Sequence, residues 1–173
     1  YQPRGRGLGG SSAINAMVYI RGNAFDYDQW ADLGCSGWSY QDVLPLFKKI
    51  ESYDGGGSDE FRGRDGLLKV TETARQGPFL EKIIQAAKNI GIEFNPDYNG
   101  AKQDGVAMSQ VTIDKGRRQS TAYCYLDPAR GRPNLTIQTG AMAQSLSLKG
   151  KTCTPYRSVN LGALAASEAE PCQ

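Results

Sequence analysis

The densest chemistry-bearing stretch lies near the start of the chain: Gly5-Arg6-Gly7-Leu8-Gly9-Gly10, followed at once by Ser11 and Ser12. Closely spaced glycines let another molecule lie against the backbone with no Cβ in the way. The two serine hydroxyls can cap the segment that follows. Amides exposed in such a loop suit an anionic or electron-rich ligand edge. The same text satisfies G-x-G-x-x-G, the pattern of a dinucleotide-binding turn. That turn needs a strand directly before it and an acidic residue about 20 positions on, at the end of a second strand. Here Tyr1-Gln2-Pro3-Arg4 precedes the run, and Asp26 and Asp28 fall in a helical pattern, so the dinucleotide reading fails. A P-loop is excluded as well, because no Gly-Lys-Ser/Thr follows. On spacing alone, a tight glycine turn with a serine cap is the simpler account.

The rest of the composition narrows the chemistry by exclusion. The chain contains no histidine, which removes the commonest general base and the commonest metal ligand together. Cys35, Cys124, Cys153 and Cys172 lie far apart with no C-x-x-C pair, so no metal site is expected and free thiols in a reducing compartment are the plain reading. Lys plus Arg is 20 against 18 for Asp plus Glu; a net charge of +2 lacks the basic excess of a nucleic-acid surface. No apolar stretch is long enough to span a bilayer, and no membrane anchor is visible. The opening residues carry neither an initiator Met nor a signal-peptide pattern, which reads as an internal fragment. The 173 residues suffice for one ordinary domain, and 21 glycines signal many turns and close backbone approaches.

The elements that must position these residues follow from local pattern. Residues 11–20 read as a short helix or an extended buried segment, and periodicity does not separate the two. Residues 23–33 form a helix with Asp26 and Asp28 in its early turns and Gly34 as its stop. Ser39 to Asp42 matches a loose capping box, and the helix it opens carries Val43, Leu44, Phe47 and Ile50 on one side. Pro45 lies near that helix's start and would bend it if further in. Residues 55–58 are a flexible loop, 63–66 a turn, and 67–70 a short strand. Leu80, Ile83, Ile84, Ala87 and Ile90 give a helical stripe over 79–90, expected to pack into a core, with Gly91 as its C-cap. Residues 95–97 and 99–100 are turns, 106–113 a strand, and 114–116 a further turn. Ser120 caps a short helix through Leu126 that Pro128 stops. Residues 135–139 and 145–148 look like paired strands. From about Cys153 the pattern fades: 161–166 reads as a weak helix or, with 167–173, a disordered tail.

Extended beyond the glycines, the first run becomes specific. Gly5-Arg6-x-Leu8-Gly9-Gly10-Ser11-Ser12-x-Ile14-Asn15, then Tyr19, Gly22 and Asp28, resembles the first signature of the glucose–methanol–choline (GMC) oxidoreductase family. Tyr19-Ile20-Arg21-Gly22-Asn23-Ala24 is similar to its choline dehydrogenase branch. So are Trp38-Ser39-Tyr40 before Leu44-Pro45, Asn99-Gly100 before Gly105, and Gly116-Arg117-Arg118-x-Ser120-Thr121-Ala122. Tyr125-Leu126 and Arg132-Pro133-Asn134-Leu135-Thr136-Ile137-x-Thr139 continue it, so the match runs from about Pro3 to Lys151.

The resemblance implies a mixed α/β fold, part of the GMC architecture without its Rossmann βαβ unit. It also implies FAD as cofactor and oxidation of a small-molecule alcohol by hydride transfer. It places Gly9, Gly10, Ser11 and the backbone of Asn15, Ala16, Met17 and Val18 along the flavin. Arg6 and Arg21 are candidates to contact phosphate or carboxylate, or else solvated charges. Residues 1–34 then form the flavin-site segment, 35–151 a partial substrate domain, and 152–173 a divergent tail. No catalytic residue is assigned, because the family's histidine base has no counterpart here. The fragment is therefore expected to bind FAD poorly and turn nothing over. The rival reading is a catalytically inactive product serving as a binding module. Tyr40, Phe47, Tyr53 and Tyr98 can contribute to a cation-holding aromatic surface, with ordinary aromatic packing as the simpler role. Compartment stays open between cytoplasmic and membrane-associated, as does oligomeric state.

Overall fold

In the computed structural model, residues 2–73, 77–150, 152–160 and 166–168 are described. The chain divides into two compact units, residues 1–129 and 130–173. In the first unit, local chemistry sets the helices. Helix α1 (Ala24–Asp32) starts where the Asn23 side chain accepts the Phe25 amide, and it ends before Gly34 at φ 102°. Helix α2 (Tyr40–Ile50) opens with the full capping box expected at Ser39 and Asp42. Pro45 lies inside it, past the first turn, where it removes one i→i−4 bond. Val43 is buried, and Leu44 and Phe47 are half-buried.

The chain runs from α2 straight into β1 (Glu51–Tyr53), which pairs parallel with β2 (Leu68–Glu72) in the register Glu51↔Leu68, Ser52↔Lys69, Tyr53↔Val70. Parallel neighbours need a crossover, usually a helix; here residues 54–67 cross as an irregular loop. The loop expected to be flexible at 55–58 is tied down. Arg64 donates to the carbonyls of Tyr53, Gly55 and Gly57 at 3.0, 2.8 and 3.1 Å and to Asp59 Oδ1 at 2.8 Å. Gly66 permits the return: a Cβ there would meet the Ile50 carbonyl carbon at 2.2 Å and the Glu51 nitrogen at 2.4 Å. Strand β3 (Gln110–Val111) adds antiparallel to β2. Strands β4 (Ile113–Asp114) and β5 (Arg117–Arg118) form a hairpin whose two turn residues, Lys115 (φ 47°) and Gly116 (φ 76°), take the mirror-image turn such hairpins favour.

Three expectations change in this unit. Helix α3 (Pro78–Asn89) forms with Gly91 at φ 85° beyond it, but its stripe does not reach a core: Ile83 is 44% and Ile90 77% exposed. Among the described residues, nothing covers that face sufficiently to bury any residue of the helix. Pro128 does not stop the helix after Ser120. A π-turn (Ala122–Leu126) passes directly into α4 (Asp127–Ala129), which carries the helical path through Pro128 and one residue beyond it. Residues 106–113 are not one strand but β3, the start of β4 and an isolated bridge from Val106 to Phe94.

In the second unit, β6 (Ala141–Lys149) pairs antiparallel with β7 (Thr152–Asn160), and β7 with β8 (Ala166–Glu168). Residues 145–148 are thus in a strand, but 135–139 are not their partner. The nearest complementary segment lies just past Gly150, whose φ of 62° makes the tight turn, and short closure costs least. Residues 166–168 are strand where a weak helix or tail was read; 161–165 and 169–173 lie outside the described residues.

The centre of the first unit is polar. Its buried apolar residues are Val43, Tyr53, Val70, Tyr98 and Cys124, outnumbered by buried polar ones that include Arg21, Glu51, Arg62, Asn99 and Gln110. Arg62 and Glu51 have fully buried side chains and pair side-on, Nη2 to Oε1 at 2.5 Å and Nε to Oε2 at 3.2 Å. Glu51 Oε2 also accepts Arg21 Nη2 at 2.6 Å and the Gly63 amide at 2.8 Å. Arg62 Nη1 reaches Asp97 Oδ1 at 2.5 Å and Gln110 Oε1 at 2.9 Å, and its guanidinium carbon stands 3.6 Å from the Tyr53 ring centre. Two cations meet two carboxylates, so the cluster is neutral. Burial alone would lower the Arg62 pKa, but Glu51 and Asp97 outweigh it and raise it.

Two outcomes follow. Glu51→Gln leaves buried guanidinium charge uncompensated and is expected to cost about 3–5 kcal/mol in urea unfolding. Lys102→Ala, which breaks the exposed Lys102–Glu93 pair at 2.8 Å, is expected to leave the midpoint essentially unmoved. Likewise Gly66→Ala is expected to lower stability by roughly 2 kcal/mol or more through the Ile50–Glu51 clash. Gly56→Ala, with nothing within 4 Å of a new Cβ, is the neutral control.

Candidate functional site

The glycine run folds as a turn built on close backbone approach. Gly7, Gly9 and Gly10 take φ of 131°, 87° and 51°, and residues 10–13 continue as one 3-10 turn (Gly10–Ala13). A Cβ on Gly5 would fall 2.2 Å from the Gly10 carbonyl oxygen, so only glycine closes this loop. Ser11 does act as a cap, but backwards: its Oγ accepts the Gly5 amide at 3.2 Å. Ser12 ties the turn to a distant segment. Its Oγ donates to Gly9 O and accepts the Thr121 amide at 2.9 Å. Gly9 also packs against Ala122, 3.3 Å from where its Cβ would be.

Beyond the turn the chain becomes an edge of the sheet. Thr112 N donates to Met17 O at 2.8 Å and Tyr19 N to Gln110 O at 2.8 Å, so Val18 bridges Val111 antiparallel. Tyr98 and Asn99 hold Tyr19 O from the other side, at 2.9 and 3.2 Å. The choice left open for residues 11–20 resolves as turn plus extended edge. The edge is not buried: Ile14, Val18 and Ile20 are 61%, 51% and 60% exposed.

In such a bridge the central residue's amide faces away from the partner strand. The Val18 amide accordingly turns away from β3, and neither it nor the Ala16 amide has an acceptor among the described residues. Gly9, Gly10, Ser11, Asn15, Ala16, Met17 and Val18 thus lie on the glycine turn and on the exposed edge that continues it. Glycine backbone and unpaired amides are what close approach by a flat, electron-rich ligand edge requires. Arg6 lies on the same loop, exposed and without a partner among the described residues. Arg21 does not belong to the surface. Its side chain is 4% exposed and paired to Glu51, so the carboxylate it contacts is internal.

Sequence reasoning missed the residues that hold this surface: Gln110, Thr112, Arg118 and Thr121. Arg118 Nη1 donates to Asn15 O and Asn15 Oδ1, each at 2.7 Å. The motif containing Arg118 and Thr121 was visible, but nothing in one sequence ties it to the glycine run. Of the four aromatics considered for cation recognition, Tyr53 stacks on Arg62, Phe47 lies 5.4 Å from Arg21, and the Tyr98 hydroxyl donates to Tyr19 O and accepts the Gln110 amide. Tyr40 lies 6.4 Å from the Tyr27 ring. The cations against Tyr53 and Phe47 are the protein's own.

A cleft of about 280 Å³, lined by Arg21, Asn23, Tyr40, Tyr98, Asn99 and Gln103 among others, contains none of the glycine-run residues. Its amides are already paired, Asn23 Nδ2 to Gln103 Oε1 at 3.0 Å and Gln103 Nε2 to Arg21 O at 2.9 Å. Among the described residues, no group of three His, Cys, Asp or Glu side chains converges to hold a metal ion. Burial, then Glu72, raises the Tyr53 pKa, and burial raises that of Tyr19. Both phenols keep their protons at neutral pH. The arrangement offers donors and a surface, not a base.

Residues 1–162 match the family model described as GMC oxidoreductase, a reach that continues past Lys151. An oxygen-dependent choline dehydrogenase of Brucella anthropi is 46% identical over 149 residues, which cover 86% of this chain and 27% of that protein. The crystal structure of pyridoxine 4-oxidase from Mesorbium loti matches with a TM-score of 0.84 at 33% identity, over 95% of this chain and 32% of the other. An FAD-dependent oxidoreductase from Chaetomium thermophilum matches with a TM-score of 0.83 at 26% identity, over 92% and 30%. The chain spans about a quarter of the length of the curated relatives it matches. The mixed α/β architecture expected from sequence is the one these structures share, and the chain belongs to the GMC oxidoreductase family.

Proposed function

We propose that this chain supplies one wall of the FAD site in an enzyme that oxidises a small alcohol of the choline type. The observation that carries it is the pair of unpaired amides at Ala16 and Val18, on the exposed edge beside the glycine turn. Bound there, a flavin supplies hydride acceptance from the alcohol carbon. Along the Asn15, Ala16, Met17 and Val18 backbone, the unpaired Ala16 and Val18 amides are the donors for its edge, which favour the more electron-rich reduced form. Gly9, Gly10 and Ser11 allow close approach, and Arg6 stands at the loop to meet an anionic group. In this reading residues 1–34 carry the surface, and Gln110, Thr112, Arg118 and Thr121 hold it from behind.

Proton acceptance from the alcohol is assigned to no residue of this chain. It has no histidine, and its buried tyrosines stay protonated. That same fact favours a second reading, a binding module without turnover. A chimera separates the two. In it, the segment of the Brucella anthropi enzyme that aligns with this chain is replaced by this chain. A yellow protein with flavin absorbance that oxidises choline is the expected result. A yellow protein without turnover favours the second reading, and a folded but colourless one defeats the flavin wall.

The latch behind the wall is testable in the chain itself. Ser12→Ala strands the Thr121 amide and is expected to cost about 1–2 kcal/mol. Hydrogen exchange at Thr121 should accelerate about tenfold, while exchange at Tyr53, bonded to Gly63 O, stays as it was.

A further inference from the structure

Met17 has a left-handed backbone, φ 62°, a property it shares among the described non-glycine residues with Lys115 alone. Lys115 lies in a hairpin turn that calls for it. Met17 lies where the glycine turn passes into the sheet edge, with no turn motif to require it. A side chain in this conformation crowds the next carbonyl, so it persists only where neighbours over-determine it.

The neighbours are on both sides of the peptide. Thr112 holds Met17 O through its amide at 2.8 Å and its hydroxyl at 3.3 Å. Asn15 Oδ1 accepts the Met17 amide at 3.1 Å, closing a turn of the kind Asn side chains make two residues on. Asn15 is exposed, and an exposed amide is free to flip and offer its NH₂ instead. Arg118 removes that freedom. Its Nη1 donates to Asn15 Oδ1 and Asn15 O, both at 2.7 Å, and to Ser12 O at 3.2 Å. A donor at that position accepts only the oxygen side of the Asn15 amide. Among the described residues Arg118 forms no ion pair, so no carboxylate competes with these carbonyls. Its own place is fixed by β5 in the hairpin, where Arg117 stacks 3.7 Å from the Tyr123 ring.

We infer that Arg118 is the positioning residue of the wall: through Asn15 Oδ1 it holds Met17 left-handed and so fixes how the unpaired Ala16 and Val18 amides are aimed. What those amides meet rests on the flavin reading above; the relay itself does not.

The test is a set of variants of the 173-residue chain, read by hydrogen exchange at Thr112, whose amide bonds Met17 O. Arg118→Met is expected to speed that exchange about tenfold. Arg118→Lys should fall between, since one ammonium can still meet Asn15. Met17→Gly in the Arg118→Met background should return exchange to near the native rate, because glycine adopts this conformation without help. Exchange at Tyr53 reports whether the whole unit has loosened and should not change. Unaltered exchange in Arg118→Met overturns the inference. So does fast exchange that Met17→Gly fails to restore, which marks general loosening. In the chimera, FAD affinity measured by flavin fluorescence should fall with Arg118→Met and recover with Met17→Gly. If the parent chimera holds no flavin while the exchange results stand, the flavin wall fails and the relay survives.

Discussion

A guanidinium with no solvent access must be neutralised where it sits, and Arg62 meets that requirement with Glu51 and Asp97. Most of the first unit's geometry can be traced to this demand. Glu51 is the junction of α2 and β1, so its carboxylate can face inward only if the helix ends there and the strand begins at once. Gly63 and Gly66 bring the crossover loop close enough for the Gly63 amide to reach the same oxygen. Gln110 shares Arg62 through its side chain and carries Tyr19 through its backbone. The wall of the candidate site is therefore fastened to the charge cluster through Gln110 of β3 and through Asn99, which bonds Tyr19 O, the Arg21 amide and Gln110 Oε1.

This explains which parts of the fold were legible. Caps, turn glycines and the 3.6-residue stripe act within a few residues, and α1, α2, α3 and the turn at 114–116 were read from them. The cluster acts across the chain: Arg62 bonds partners 11, 35 and 48 residues away. Nothing local distinguishes Glu51 from any surface glutamate at a helix end. The stripe of α3 was legible as a helix but not in its packing, because an apolar face states only that something should cover it. The strand at 135–139 failed for a related reason. Alternation identifies a segment able to pair, while the choice of partner was made by the turn at Gly150.

The candidate site was legible in a different way. Spacing alone supported a generic glycine turn, and the context test removed the dinucleotide reading. What made the segment specific was its long resemblance, with the motif containing Arg118 and Thr121 noted as a separate piece of the same pattern. The structure puts the two pieces in contact, Ser12 against Thr121 across 109 residues and Asn15 against Arg118 across 103. Motifs that recur together but lie far apart in a chain are candidates for direct contact, and this was the signal available. The left-handed backbone of Met17 had no signal at all, since methionine is an unfavourable residue for it.

The wall presents backbone where side chains might have served, and this has a consequence for how it must be held. A side-chain donor is aimed by its own rotamer, and a neighbour can repack around it. A backbone donor is aimed only by the conformation of its peptide, which is fixed by the residues on either side. The Ala16 and Val18 amides therefore depend on Met17 between them, and Met17 depends on bonds from Thr112 and Asn15. The exposed side chains along this edge take no part in aiming those amides. That is done by the groups behind it, Thr112, Asn15 and Arg118, through the bonds they make to the backbone.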